Sequence, residues 1–125
     1  MQEKSSSGLR RKLLKKAKEK MEKREEKFRA YVEILKKKFP NTTIVLIGSR
    51  AENKALPYSD YDLVVIFKEI NNKFSLIEEI RKYKPKGFSL DLIVLSLEDL
   101  KDPVIAKMLK KKVIFHDGLN LIYKL

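Results

Sequence analysis

The chain has no cysteine and no tryptophan, one histidine, four glycines and four prolines in 125 residues. Without cysteine there is neither a disulfide framework nor a thiolate metal site, and His116 alone cannot build a zinc centre. No apolar run is long: the longest uninterrupted one, residues 63–67, falls far short of the roughly 20 residues that cross a bilayer. The basic N-terminal residues are not followed by the apolar core of a secretory signal. The expected protein is therefore cytoplasmic, in a reducing compartment, with no membrane association.

What is present is charge. Lysine and arginine total 29 against 17 acids, a net charge of +12. Residues 1–40 hold 15 of those cations and 6 acids, so +9 resides in the first third. Such a field draws in polyanions without choosing among them, and it also suits a merely solvated helix. The abundance of lysine and scarcity of glutamine resemble a thermophile's composition. With 43% apolar residues, the length fits one domain with a modest core.

Residues 9–39 lack proline and glycine and are rich in helix formers, which predicts one long helix. Its apolar positions Leu14, Ala17, Met21, Phe28, Tyr31, Val32, Leu35 and Phe39 fall near a 3.6-residue stripe with a polar break at Arg24 and Glu25. The second half is expected to dock and the first to project, after a flexible lead-in at residues 5–8. Pro40 and Asn41 end the helix. Strands are predicted at residues 42–47, 60–67 and 88–95, with a short helix at 49–56 and a helix at 74–83 between them. Asp102 and Pro103 mark a helix start, running to about residue 111. Residues 113–115 and 119–123 flank His116-Asp117-Gly118, which reads as a hairpin-like turn with Gly118 at positive φ. Tyr31, Tyr58, Tyr83 and Tyr123 are expected to pack with their hydroxyls in water. The fold class is α+β, a mixed sheet with helices packed against it and a long basic N-terminal helix: an extension at 1–29 and a folded domain at 30–125.

Side chains alternate along a strand, so Asp60 and Asp62 share a face, their Cα atoms roughly 6–7 Å apart. Val64 and Ile66 continue that face, placing the two acids at the rim of the core. Asp91 interrupts the otherwise apolar FSLDLIVL on the next strand. Like charges about 4 Å apart repel by roughly 4 kcal/mol at an effective dielectric near 20. Either the acids stand apart in solvent, or divalent cations bind between them; an all-oxygen donor set suits Mg²⁺ or Mn²⁺. Upstream, Gly48 permits close backbone approach to a ligand, Ser49 offers a hydroxyl and the N–H groups of a helix start, and Arg50 offers a fork for phosphate oxygens.

The run GSRAENKALPYSDYDLVVIF, a Gly-Ser, ten residues, then Asp-x-Asp leading into apolar residues, resembles the nucleotidyltransferases of the DNA polymerase beta superfamily, and among them the minimal nucleotidyltransferases of archaea and bacteria. The resemblance spans about residues 30–125. It implies a nucleoside triphosphate, usually ATP, whose β- and γ-phosphates are held by Gly48 and Ser49, with a nucleotidyl group passed to a hydroxyl of a protein or RNA acceptor. It further implies two Mg²⁺ ions, with Asp60 and Asp62 ligating both and Asp91 ligating one and deprotonating the acceptor. Many relatives carry a glycine soon after Gly-Ser-Arg, where this chain has Glu52 and Asn53. The resemblance suggests a protein partner, a HEPN-domain ribonuclease neutralised by AMP addition in a toxin–antitoxin pair. The basic helix leaves room for RNA contact, and the alternative is a non-catalytic antitoxin or RNA-binding subunit on the same fold.

Overall fold

The structure is a computed structural model that describes residues 2–55 and 59–125, with side chains from residue 8 onward. The expected end of the short helix at Leu56, the turn at Pro57 and the packing of Tyr58 lie outside the described residues. Helix α1 spans Gln2–Lys38 without a break at Arg24 or Glu25. The expected lead-in at residues 5–8 is part of it, because one glycine costs a helix only about 1 kcal/mol and nothing else there opposes the helix. Next come β1 (Thr42–Ile47), α2 (Gly48–Ala51), β2 (Tyr61–Phe67), α3 (Lys73–Lys82) and β3 (Leu90–Ser96). A 3₁₀ turn (Glu98–Lys101), α4 (Pro103–Met108) and β4 (Val113–Asp117) complete the chain. α4 begins as expected: the Asp102 carboxylate accepts from the Val104 N–H at 2.9 Å and Pro103 follows it.

The sheet order is β3-β2-β1-β4. β2 and β3 run parallel, while β1 is antiparallel to both β2 and β4. One face carries Ile44 and Leu46 of β1, Tyr61, Leu63 and Val65 of β2, and Leu90, Leu92 and Val94 of β3. Onto it pack Phe28, Tyr31, Val32 and Leu35 of α1, and Ile80 of α3. The other face, with Val45, Ile47, Val64, Ile66 and Leu95, is covered by Leu109 and Leu121. Burial on α1 starts at Phe28, and Leu9, Leu13 and Leu14 are each more than half exposed, so residues 8–20 project as expected, while Met21, Arg24 and Glu25 already line cavities against the body. Tyr31 departs from expectation. Its hydroxyl is buried and donates to the Ile80 carbonyl at 2.7 Å, and burial pushes its pKa up. Tyr123 is 98% exposed.

The expected C-terminal hairpin is not formed. β4 runs through His116 to Asp117, and the residues after it turn instead of pairing. The cause is a tertiary clamp. Asp117 accepts from the Leu121 N–H (2.7 Å), the Ile122 N–H (2.9 Å) and the Thr43 hydroxyl (2.9 Å), winding the chain back on itself. Gly118 does not adopt positive φ; Asn120 does, at 58°. Gly118 is required for space, since a Cβ there would lie 2.1 Å from the Pro40 carbonyl oxygen. His116 Nε2 meets that same oxygen at 2.8 Å.

The clamp predicts a pH dependence. Partial burial works against the Asp117 charge, but the bonds from Leu121, Thr43 and Ile122 outweigh it and hold its pKa below the usual carboxylate range. Its stabilisation is therefore complete above the unfolded value near 4 and is lost as pH falls through the folded value. Asp117→Ala should cost about 2 kcal/mol at neutral pH, read from urea unfolding, and that cost should shrink in acid.

Candidate active site

β1 ends where β2, β3 and β4 begin, so one edge of the sheet gathers four strand ends. Along β2, the odd positions enter the α1 face and Asp62 falls on the opposite face with Val64 and Ile66. Asp91 lies directly beside Asp62 in the parallel ladder, and the same alternation turns it to the same side. On the other flank Ile47 pairs with Asp62, which brings the following glycine over the carboxylate. Gly48 sits at φ 77°, and a Cβ built there would be 2.1 Å from Asp62 Oδ2. Two features of Gly48 therefore matter: positive φ and the absence of a side chain.

The electrostatics follow. Burial, and then the neighbouring Asp91 and Asp60 charges, raise the Asp62 pKa. Asp60 precedes β2 and is exposed. Among the described residues, no three acids are drawn into a finished metal-ligand cluster. The structure thus pairs Asp62 with Asp91, and Asp60 stands beside them within Coulombic range.

Arg50 and Tyr61 hold this arrangement in place, and the role of Tyr61 was not anticipated. The Arg50 guanidinium donates through Nε (3.0 Å) and a terminal nitrogen (2.8 Å) to the Ser59 carbonyl, just before Asp60. Its central carbon lies 3.9 Å from the Tyr61 ring centroid. The Phe28 ring stacks on Tyr61 at 4.0 Å and 13°. Two groups that close to one ring must occupy opposite faces, so Tyr61 is sandwiched between α1 and Arg50. A tyrosine between two acids on an alternating strand, opposite an aromatic on the helical stripe, was the available signal. Among the described residues its buried hydroxyl has no hydrogen-bond partner, and desolvation raises its pKa. A cavity of about 310 Å³ lined by Phe28, Leu46, Tyr61 and Phe115 lies on this α1 side, away from the acids.

α2 is a single turn, shorter than expected, because Asn53 takes a left-handed conformation at φ 56°. Asparagine tolerates that region better than most residues and does here what a glycine would do elsewhere. Arg50→Lys keeps the charge but loses both the fork and the planar stack, so it should lower stability by about 1–2 kcal/mol in thermal unfolding.

Comparison with known proteins identifies the family and the fold. The sequence profile described as "Nucleotidyltransferase domain" matches residues 28–116. A Methanocaldococcus jannaschii protein named "Putative protein adenylyltransferase MJ1379" is 30% identical over 88 residues, covering 70% of this chain and 88% of that protein. A Sulfolobus solfataricus crystal structure, described as "a putative nucleotidyltransferase", superposes with a TM-score of 0.59 at 27% identity, over 79% of this chain and 85% of the other. Among the described residues no helix is long and apolar enough to cross a membrane. Residues 28–116, from the first buried position of α1 to the sheet's last strand, place this chain in the nucleotidyltransferase domain family, a family of transferases of the EC 2.7.7 type.

Proposed function

We propose that the protein transfers AMP from ATP to a hydroxyl of a macromolecular acceptor, with Mg²⁺ held by Asp60, Asp62 and Asp91. The observation that carries this reading is the paired Asp62 and Asp91 beneath Gly48, the one residue type that leaves room for a phosphate chain above a carboxylate. The donor set fits the metal: hard oxygens only, with burial and then the Asp91 and Asp60 charges disfavouring an Asp62 charge that a cation would offset. Two Mg²⁺ ions, or Mn²⁺ in their place, would neutralise triphosphate charge and polarise the α-phosphate.

The chain's own residues do the rest. Gly48 and Ser49 cradle the β- and γ-phosphates. Arg50 and Tyr61 keep the Ser59-Asp60 segment in register with Asp62. The acceptor oxygen forms a bond to the α-phosphorus as the bond from that phosphorus to the α,β-bridging oxygen breaks. The hydroxyl proton passes to Asp91, and pyrophosphate leaves with the bonding electron pair. Orientation and charge neutralisation supply most of the acceleration.

The name of the Methanocaldococcus relative supports a protein acceptor. The resemblance adds a HEPN-domain partner, with this chain as the antitoxin. A second reading, a non-catalytic antitoxin or RNA-binding subunit, is favoured by residues 8–20, where seven Lys or Arg against one Glu stand clear of the body. Incubation with α-labelled ATP, Mg²⁺ and candidate protein and RNA acceptors separates the two. Transfer by the wild type but not by Asp60→Ala or Asp62→Ala supports catalysis. Partner affinity that survives both substitutions, with no label moved, supports the second reading. RNA held by residues 8–20 should bind with an affinity that falls steeply with salt.

A further inference from the structure

The apolar side of α1 does not end where the helix leaves the body. Leu13, Leu14 and Ala17 stand 18 residues, or five whole turns, before Tyr31, Val32 and Leu35, and Met21 stands about two turns before Phe28. Those later four residues bury against the sheet. The same side of the helix therefore continues past the sheet edge with nothing packed on it among the described residues: Leu13 and Leu14 are more than half exposed, and Met21 is exposed as well. At its foot lies the cavity of about 310 Å³, whose walls include Met21, Phe28, Leu46 and Phe115. An apolar stripe thus runs into an aromatic-walled hollow, in the inside corner between a free helix and a sheet edge. Charge is ordered around the stripe. Helical spacing puts Lys16 and Lys20 along one border and Arg11 and Lys18 along the other, while Glu19, Glu22 and Glu26 take the opposite side of the helix. Glu25, next to the body, is paired with Arg29 at 3.3 Å.

From this arrangement we infer that the corner is a docking site for an amphipathic helix of a partner protein, one whose apolar side is bordered by Asp and Glu and which seats a bulky apolar side chain in the cavity. Three observations carry it. The stripe is continuous with an interface that α1 already makes, the cavity is the kind of pocket that holds an anchor residue, and basic borders call for acidic ones opposite. Other occupants fit less well. The body stands on the same side of α1 as the leucines, so a bilayer or a straight duplex cannot lie flat along the stripe. A second copy would bring like-charged borders together, since residues 8–20 hold seven Lys or Arg against one Glu. The inference is independent of the transfer chemistry: none of these residues holds nucleotide or metal in the reading above.

The chain has no tryptophan, so a peptide that carries one reports binding without interference. The probes are two synthetic heptad-repeat helices with the same leucine seam and one tryptophan at its end, bordered by Glu in the first and by Lys in the second. With the full chain, the Glu-bordered peptide should bind at least about tenfold more tightly than the Lys-bordered one, and its tryptophan emission should move to shorter wavelength as the ring enters the cavity. Leu14→Gln/Ala17→Gln, confined to turns clear of the body, should weaken that binding roughly tenfold or more and leave the melting temperature unchanged. Lys16→Glu/Lys20→Glu should turn the preference towards the Lys-bordered peptide, a gain that misfolding cannot mimic. Equal affinity for the two peptides, or an affinity indifferent to Leu14→Gln/Ala17→Gln, would overturn the inference. A wild-type dimer in sedimentation equilibrium that Leu14→Gln/Ala17→Gln dissolves would overturn it too, as would binding to phosphatidylserine vesicles that the same variant abolishes, because each gives the stripe to another occupant.

Discussion

Asp62→Asn is expected to abolish nucleotidyl transfer, by roughly 10³-fold or more, while raising the melting temperature of the ligand-free protein. The two effects have one cause. Asp62 is driven towards its neutral form by burial and by the Asp91 and Asp60 charges, so its ionisation opposes folding. A carboxyl whose folded pKa lies above its unfolded value costs stability above that folded value, and the cost disappears as pH falls below the unfolded one. Asparagine is neutral throughout and retains a donor for Asp91, so the variant should be stabler at neutral pH, and its advantage over the wild type should vanish in mild acid. That trend is opposite in sign to the one at Asp117, and comparing the two variants by thermal melts between pH 4 and 8 separates them. A strain relieved by substitution and needed for activity is typical of functional sites. An Asp62→Asn variant with full label transfer would remove the acids from the mechanism.

Gly48→Ala is expected to cost about 2 kcal/mol or more and to eliminate transfer along with it. At φ 77° an alanine pays the left-handed penalty, and its methyl would sit 2.1 Å from the Asp62 carboxylate. Either the carboxylate swings away or β1 separates from β2, and both outcomes dismantle the site. Combining the variant with Asp62→Gly, which removes the obstructing side chain, should recover stability beyond the φ penalty and leave activity absent. Recovery of stability by the double variant, measured as a coupling in urea unfolding, checks that the contact and not the backbone alone sets the cost.

Much of this was legible in the sequence. β1 formed at the expected residues because a β-branched run between Asn41 and Gly48 admits no alternative, and α4 began at Asp102 because a capping side chain and a following proline are both local signals. Gly48, Asp60, Asp62 and Asp91 stood out by spacing and by acids breaking apolar runs, and the structure brings Gly48, Asp62 and Asp91 together with Asp60 beside them. The errors share a different character. The residues after Asp117 look like a strand by alternation, yet the Asp117 carboxylate captures their N–H groups with help from Thr43, which is 74 positions away. Tyr61 reads as a filler between two acids until α1 supplies Phe28. Pairing order is what periodicity cannot encode.

The direction of α1 has a geometric consequence. Phe28 packs on Tyr61 at the start of β2, while Phe39 meets Phe67 at its end. The helix therefore runs down the sheet from the catalytic rim, and residues 8–20 continue upwards past it for about 20 Å. This mast rises on the α1 side of the sheet, the face opposite Asp62. On the proposed reading, a large acceptor that approaches the rim from the α1 side meets the mast's lysines and exposed leucines first, whereas one that approaches from the opposite face does not.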